Sequence, residues 1–168
     1  MSSFVIANPN KCIGCRTCEI ACVVAHSEKD IFSSKVEVEF YPRLKVIKTN
    51  NVTSPVQCRH CKGAPCAKAC PKDCISHNEE GVVLIDDTNC VGCKNCMVAC
   101  PFGAIDMIPI YDNDEKVSQQ KLKVQDKSDF VLKEKLVAMK CDLCSNRKEG
   151  PACVEKCPTK ALKLITLA

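Results

Sequence analysis

Sixteen of the seventeen cysteines in this 168-residue chain fall into four groups of four. Cys12, Cys15, Cys18 and Cys22 are spaced C-x2-C-x2-C-x3-C, and Cys90, Cys93, Cys96 and Cys100 repeat that spacing, with Pro101 following. Cys58, Cys61, Cys66 and Cys70 follow C-x2-C-x4-C-x3-C-P, and Cys141, Cys144, Cys153 and Cys157 follow C-x2-C-x8-C-x3-C-P. Two-residue gaps let a loop wrap a cube of iron and sulfide and present thiolates to three of its corners. The last gap matches one helical turn and carries the fourth thiolate away; in this spacing that cysteine ligates a different cluster. Spacing alone says that Cys22 leaves its neighbours, not where it arrives. Sixteen thiolates in this pattern predict four [4Fe-4S] clusters. Zinc does not require the fourth, offset cysteine, and a disulfide set would leave one of seventeen thiols over.

The elements that must position these ligands are legible around them. "CIGCRTCEIAC" and "CVGCKNCMVAC" are near copies, so the repeated unit is a cluster-binding loop. Gly14 and Gly92 relieve crowding and permit positive φ where the loop turns. Proline after Cys70, Cys100 and Cys157 ends each short helix, because the residue before proline avoids the α region. An apolar pair then predicts return strands starting near Ile75, Ile105 and Leu162. Further strands are expected at 2–7, 81–87 and 135–140. The 35–49 stretch alternates like a strand pair with an exposed face. The polar 111–130 stretch reads as an exposed loop or hairpin whose lysines face solvent.

Composition bounds the rest. One residue in ten being cysteine indicates a disulfide scaffold or a metalloprotein. The first residues, "MSSFVIANPNKC", lack a basic segment followed by an apolar one, and no twin arginine is present. No apolar run approaches the ~20 residues of a membrane span. The expectation is a cytoplasmic protein, where a reducing environment favours metal over disulfides. The formal charge of +4 counts cysteines as neutral, and four oxidised clusters would bring it to about −4. With two tyrosines and no tryptophan, nucleic-acid binding is not expected. No Ser/His/Asp arrangement, phosphate-cradling loop or carboxylate pair suggests catalysis.

Three motifs carry a resemblance over nearly the whole chain: "CIGCRTCEIACVVAH", "CRHCKGAPCAKACP" and "KCDLCSNRKEGPACVEKCPTKAL". The chain resembles the four-cluster ferredoxin-type electron-transfer subunits of hydrogenase, formate dehydrogenase and molybdopterin oxidoreductase complexes. Val23, where the other motifs have proline, matches that family's first motif. The resemblance implies an α+β fold of two ferredoxin-like two-cluster modules related by pseudo-symmetry, with polar insertions. Residues 1–27 and 136–168 would form a discontinuous outer module and 55–108 an inner one. A strand pair would be inserted at 28–54 and a polar segment at 109–135. It further implies crossed ligation. Cys12, Cys15 and Cys18 would take Cys157, and Cys141, Cys144 and Cys153 would take Cys22. Cys58, Cys61 and Cys66 would take Cys100, and Cys90, Cys93 and Cys96 would take Cys70.

Within a molecule roughly 40 Å across, four clusters lie in tunnelling reach of one another. The resemblance therefore implies a non-catalytic relay between a hydrogenase catalytic subunit and a formate dehydrogenase catalytic subunit. A second similar iron–sulfur subunit is a further expected partner. The end at "ALKLITLA" favours a soluble complex. A free polyferredoxin carrier and a hydrogenase assembly factor are the alternatives. The seventeenth cysteine, Cys74, stands where Ala104 and Ala161 stand in the other Cys-Pro segments and reads as a small buried thiol. His60, between Cys58 and Cys61, reads as packing or as a hydrogen-bond donor toward a cluster. His26 and His77 carry no ligand signal.

Overall fold

The computed structural model describes residues 2–27, 39–112, 115–126 and 129–167. The chain runs β1 (Ser2–Ala7), α1 (Thr17–His26), β2 (Leu44–Lys48), β3 (Thr53–Gln57), α2 (Pro65–Lys68), β4 (Ile75–His77), β5 (Val83–Ile85) and α3 (Asn95–Ala99). It continues with β6 (Asp106–Pro109), β7 (Tyr111–Asp112), β8 (Glu115–Lys116), β9 (Ser118–Asp126), β10 (Asp129–Glu134), β11 (Leu136–Met139), α4 (Ala152–Glu155) and β12 (Leu162–Leu167). The result is a mixed α+β fold of short helices and two-stranded antiparallel sheets.

The sheets place the cysteine loops. β1 pairs with β12 from Ser2↔Leu167 to Ala7↔Leu162, which ties the two ends of the chain together. β4 and β5 form a hairpin. β6 pairs with β11, Leu136 opposite Pro109 and Met139 opposite Asp106, so the intervening hairpins β7–β8 and β9–β10 project from one closed neck. The strands expected at 2–7, within 81–87 and within 135–140 are present, as are the return strands after each Cys-Pro segment. The hairpin expected at 111–130 is present as well. Of the strand pair expected at 35–49, residues 35–38 lie outside the described residues; among the described residues β2 pairs with β3.

Proline sets helix length as the sequence suggests. α2, α3 and α4 have four or five residues and stop at the Cys-Pro segments. α1 has Val23 in place of proline and runs ten residues, past Cys22 to His26. Entry into three of the helices is through a left-handed residue: Arg16 (φ 60), Ala64 (φ 34) and Lys94 (φ 68).

The core is built largely from the ligand loops. Val5, Cys18, Cys22, Leu44, Val46, Cys58, Val82, Cys141, Leu143, Cys153 and Leu162 form one buried cluster. A second joins Ala64, Cys66, Cys74, Ile75, Val83, Cys96, Ile105 and Ala138. Each therefore draws on segments distant in sequence. Glu19, 4% exposed, accepts the Val46 amide at 2.6 Å and locks α1 to β2. Among the described residues, no helix is long and apolar enough to cross a membrane.

Candidate metal centres

Three partly open cavities are each walled by four cysteines of the repeated pattern. One gathers Cys12, Cys15, Cys18 and Cys157. Another gathers Cys58, Cys61, Cys66 and Cys100. The third gathers Cys90, Cys93, Cys96 and Cys70, with Cys74 beside them. In each, three thiols come from one loop and the fourth from the end of a different loop. The remaining four, Cys22, Cys141, Cys144 and Cys153, are all buried. α1 packs on α4, and the Cys153 thiol is pushed up to about 12 by burial and then by the neighbouring charges of Cys22 and Cys144.

The loops share a backbone device. The residue just before the second cysteine has positive φ in every motif: Gly14 (70), His60 (46), Gly92 (68) and Leu143 (59). The third residue after Cys70, Cys100 and Cys157 does too, at Asp73 (51), Gly103 (58) and Lys160 (50). At Gly92 close approach makes glycine compulsory, because an added Cβ would sit 2.5 Å from the Leu136 carbonyl oxygen.

The chemistry of the donor set fits cubane clusters. Backbone amides donate toward the sulfurs: His60 N to Cys58 Sγ (3.4 Å), Leu143 N to Cys141 Sγ (3.4 Å) and Ala138 N to Cys90 Sγ (3.5 Å). Ala104 N reaches Cys100 Sγ (3.4 Å), Ala161 N reaches Cys157 Sγ (3.2 Å) and Arg43 N reaches Cys22 Sγ (3.3 Å). Such donors favour thiolate and tune a cluster's potential. Elsewhere burial opposes ionisation. It pushes Cys18 and Cys96 up to about 11 and Cys141 further still. Those protons leave only when metal charge replaces them. Exposed Cys15 is lowered instead, first by the Thr17 hydroxyl, which donates to its sulfur at 3.3 Å.

An ion-pair network flanks the buried set. Asp142 accepts from His26 Nε2 (3.0 Å), Arg43 Nη1 (2.5 Å) and the Cys144 amide (2.9 Å). Burial alone would push His26 down, but bonds to Asp142, Cys144 and Cys22 raise it to about 12. Asp142 is held well below the usual carboxylate range; His26 and Arg43 outweigh its burial. No ligand signal for His26 stands in the cysteine pattern. Its i+4 spacing from Cys22 on one helix face was the available clue.

The other singled-out residues resolve as follows. His60 is fully buried; its Nδ1 accepts the Val83 amide at 3.1 Å, and Nε2 has no partner among the described residues. Burial, then the Lys140 charge, lowers it to about 4, so the ring is neutral at pH 7. Cys74 is 6% exposed, as expected of a small buried thiol, and donates weakly to the Lys72 carbonyl at 3.6 Å. Its proximity to Cys70, Cys90, Cys93 and Cys96 was not apparent from the alanine it replaces.

Comparison with known proteins agrees with this chemistry. The 4Fe-4S dicluster domain matches residues 49–127. The chain is 47% identical to the putative electron transport protein YsaA of Escherichia coli K12, over 97% of this chain and 89% of that protein. It is 44% identical to the electron transport protein HydN of the same organism, over 96% and 87% of the two chains. It is 41% identical to formate hydrogenlyase subunit 2, again of Escherichia coli K12, over 98% and 82%.

Proposed function

Because this chain belongs to the family of 4Fe-4S electron-transport proteins, we propose that it is a non-catalytic relay subunit. It carries electrons through four [4Fe-4S] clusters between a hydrogenase and a formate dehydrogenase or related molybdopterin enzyme, in the cytoplasm. The clusters supply one-electron redox chemistry; the chain holds, spaces and insulates them.

In this reading Cys12, Cys15, Cys18 and Cys157 hold one cluster, and Cys22, Cys141, Cys144 and Cys153 a second. Cys58, Cys61, Cys66 and Cys100 hold a third, and Cys70, Cys90, Cys93 and Cys96 a fourth. Residues 1–27 and 136–168 make one ferredoxin-like module and 55–108 its pseudo-symmetric counterpart, with 28–54 and 109–135 as insertions. The observation that carries the proposal is the repeated exchange of the fourth cysteine around cavities of similar size. That exchange suits cubanes arranged in series. The partner assignment draws on the likeness to formate hydrogenlyase subunit 2.

Anaerobic analysis of the purified chain should give about sixteen iron and sixteen sulfide. About eight iron, or stoichiometric zinc, refutes the four-cluster reading. For the partners, the chain should copurify with both enzymes. Its removal should abolish formate–hydrogen coupling while each enzyme still reduces an artificial dye. Coupling that survives removal would leave an accessory role instead, and reduction of several unrelated enzymes without copurification would indicate a free carrier.

A further inference from the structure

Lys140 ends the run "KLVAMK" just before Cys141, a place where a lysine would ordinarily reach solvent. It is instead 4% exposed. Its side chain lines the cavity of Cys58, Cys61, Cys66 and Cys100. The ammonium donates to the Val83 carbonyl of β5 and, at 3.1 Å, to the Cys141 carbonyl. The ammonium is thus held between β5 and the carbonyl of the next residue in the chain.

Among the described residues, no carboxylate pairs with it. The paired lysines Lys45, Lys116 and Lys156 are half-exposed, with carboxylates at 2.6–3.0 Å. Two carbonyls satisfy two of the three ammonium donors but supply no negative charge. Burying a cation without an anion is strongly unfavourable. The compensating charge must therefore come from what shares its cavity, the cysteine set. The other two cavities have cations on their walls as well, but Arg16, Lys72 and Lys94 are exposed and screened by water.

We propose that Lys140 is a potential-setting residue: a buried, carboxylate-free cation that raises the reduction potential of the cluster held by Cys58, Cys61, Cys66 and Cys100. The assignment rests on the four-cluster relay reading. Reduction adds one negative charge to a cluster, and a cation fixed in a low-dielectric wall stabilises the reduced form more than the oxidised form. Nothing is consumed or released; Lys140 biases where the electron rests. Its contact with the Cys141 carbonyl places the bias at the junction with the buried Cys22–Cys141–Cys144–Cys153 set. The cluster held by Cys58, Cys61, Cys66 and Cys100 therefore becomes a favoured electron acceptor within the relay.

The test is an anaerobic potentiometric titration of the full chain followed by electron paramagnetic resonance, with iron counted on the same samples. Lys140→Gln keeps hydrogen-bond donors and removes the charge. Lys140→Arg keeps the charge. Lys68→Met removes an exposed charge from α2, the helix that carries Cys66. In Lys140→Gln, one titrating component should show a reduced-to-oxidised ratio at least tenfold lower at fixed potential, which is 59 mV for a one-electron couple. Lys140→Arg and Lys68→Met should move that ratio less than about threefold. Superimposable titrations of Lys140→Gln and wild type at full iron content would overturn the proposal. So would an equal shift in Lys140→Arg, or selective loss of iron from Lys140→Gln, since either makes Lys140 a packing residue. A wild-type chain with only about eight iron would instead sink the four-cluster reading itself.

Discussion

Two of the cysteine sets open to solvent and one does not. Cys15 and Cys93 are exposed, Cys18 and Cys96 are buried, and the other members of those two sets are intermediate. The loops behind them are the near copies with the plain spacing. In the set of Cys22, Cys141, Cys144 and Cys153 every thiol is buried, and its loop carries eight residues between the second and third cysteine. The set of Cys58, Cys61, Cys66 and Cys100, with four residues in that gap, is intermediate: two buried, two half-buried. Longer gaps give the loop enough chain to cover its own site, so spacing that leaves the ligands unchanged sets how wet each site is. The plain loops leave a thiol open to solvent, and the long loop covers its own set.

The largest effect expected from this contrast is loss of a buried ligand. Cys22→Ala should remove about four of sixteen iron and sharply lower the melting temperature, because cluster binding is folding free energy there. Cys93→Ala, at an open site, should also lose iron but with a smaller fall in melting temperature. Equal falls would show that exposure does not separate the two kinds of site.

A glycine pair sharpens the same contrast. Gly92→Ala drives a methyl into the Leu136 carbonyl at φ +68 and should cost on the order of 3 kcal/mol. Gly103→Ala, at φ +58 with open space around it, should cost only about 1 kcal/mol. Chemical denaturation under anaerobic conditions checks both.

Asp142→Asn breaks the network beside the buried set and should cost about 2 kcal/mol, as for charged hydrogen bonds generally. The pH dependence follows from two opposite shifts. Asp142 is depressed from 3.8, so its contribution is complete above that pH and drains as pH falls below it. His26 is raised from 6.5 to about 12, so its contribution is complete below pH 6.5 and drains as pH rises toward 12. The stability gap between wild type and variant should therefore be widest between about pH 4 and 6.5. A gap that grew from pH 7 to 9 would contradict the pairing.

The smallest effect belongs to Cys74→Ala. Alanine already fills the matching positions at Ala104 and Ala161, so iron content should be unchanged. Loss of about four iron would make Cys74 a ligand and displace one of the sixteen.

Much of the fold follows from local signals. The cysteine spacing, the prolines and the apolar pairs located the loops, helix ends and return strands, because each is decided within a few residues. What escaped was set by distant segments. β2 pairs with β3, and Leu44 and Val46 face a core formed by β1 and the Cys141 loop. Asp142 meets His26 and Arg43 across about a hundred residues of chain. Lys140 and Glu19 are buried charges whose types predict exposure. Only the assembled fold brings an amide to Glu19 and two carbonyls to Lys140. The cysteine spacing told where metal belongs; which thiols share a cavity followed from the family resemblance and not from spacing, because the fourth thiol of each group comes from a distant loop.

The central claim is that the fourth cysteine of each motif serves another motif's cluster. Anomalous diffraction at the iron edge from anaerobically grown crystals tests it directly. Four compact iron sites are expected, with Cys22 Sγ bonded to the site of Cys141, Cys144 and Cys153, and Cys157 Sγ to that of Cys12, Cys15 and Cys18. Cys22 bonded to the same site as Cys12, or fewer than four iron sites at full occupancy, would contradict it.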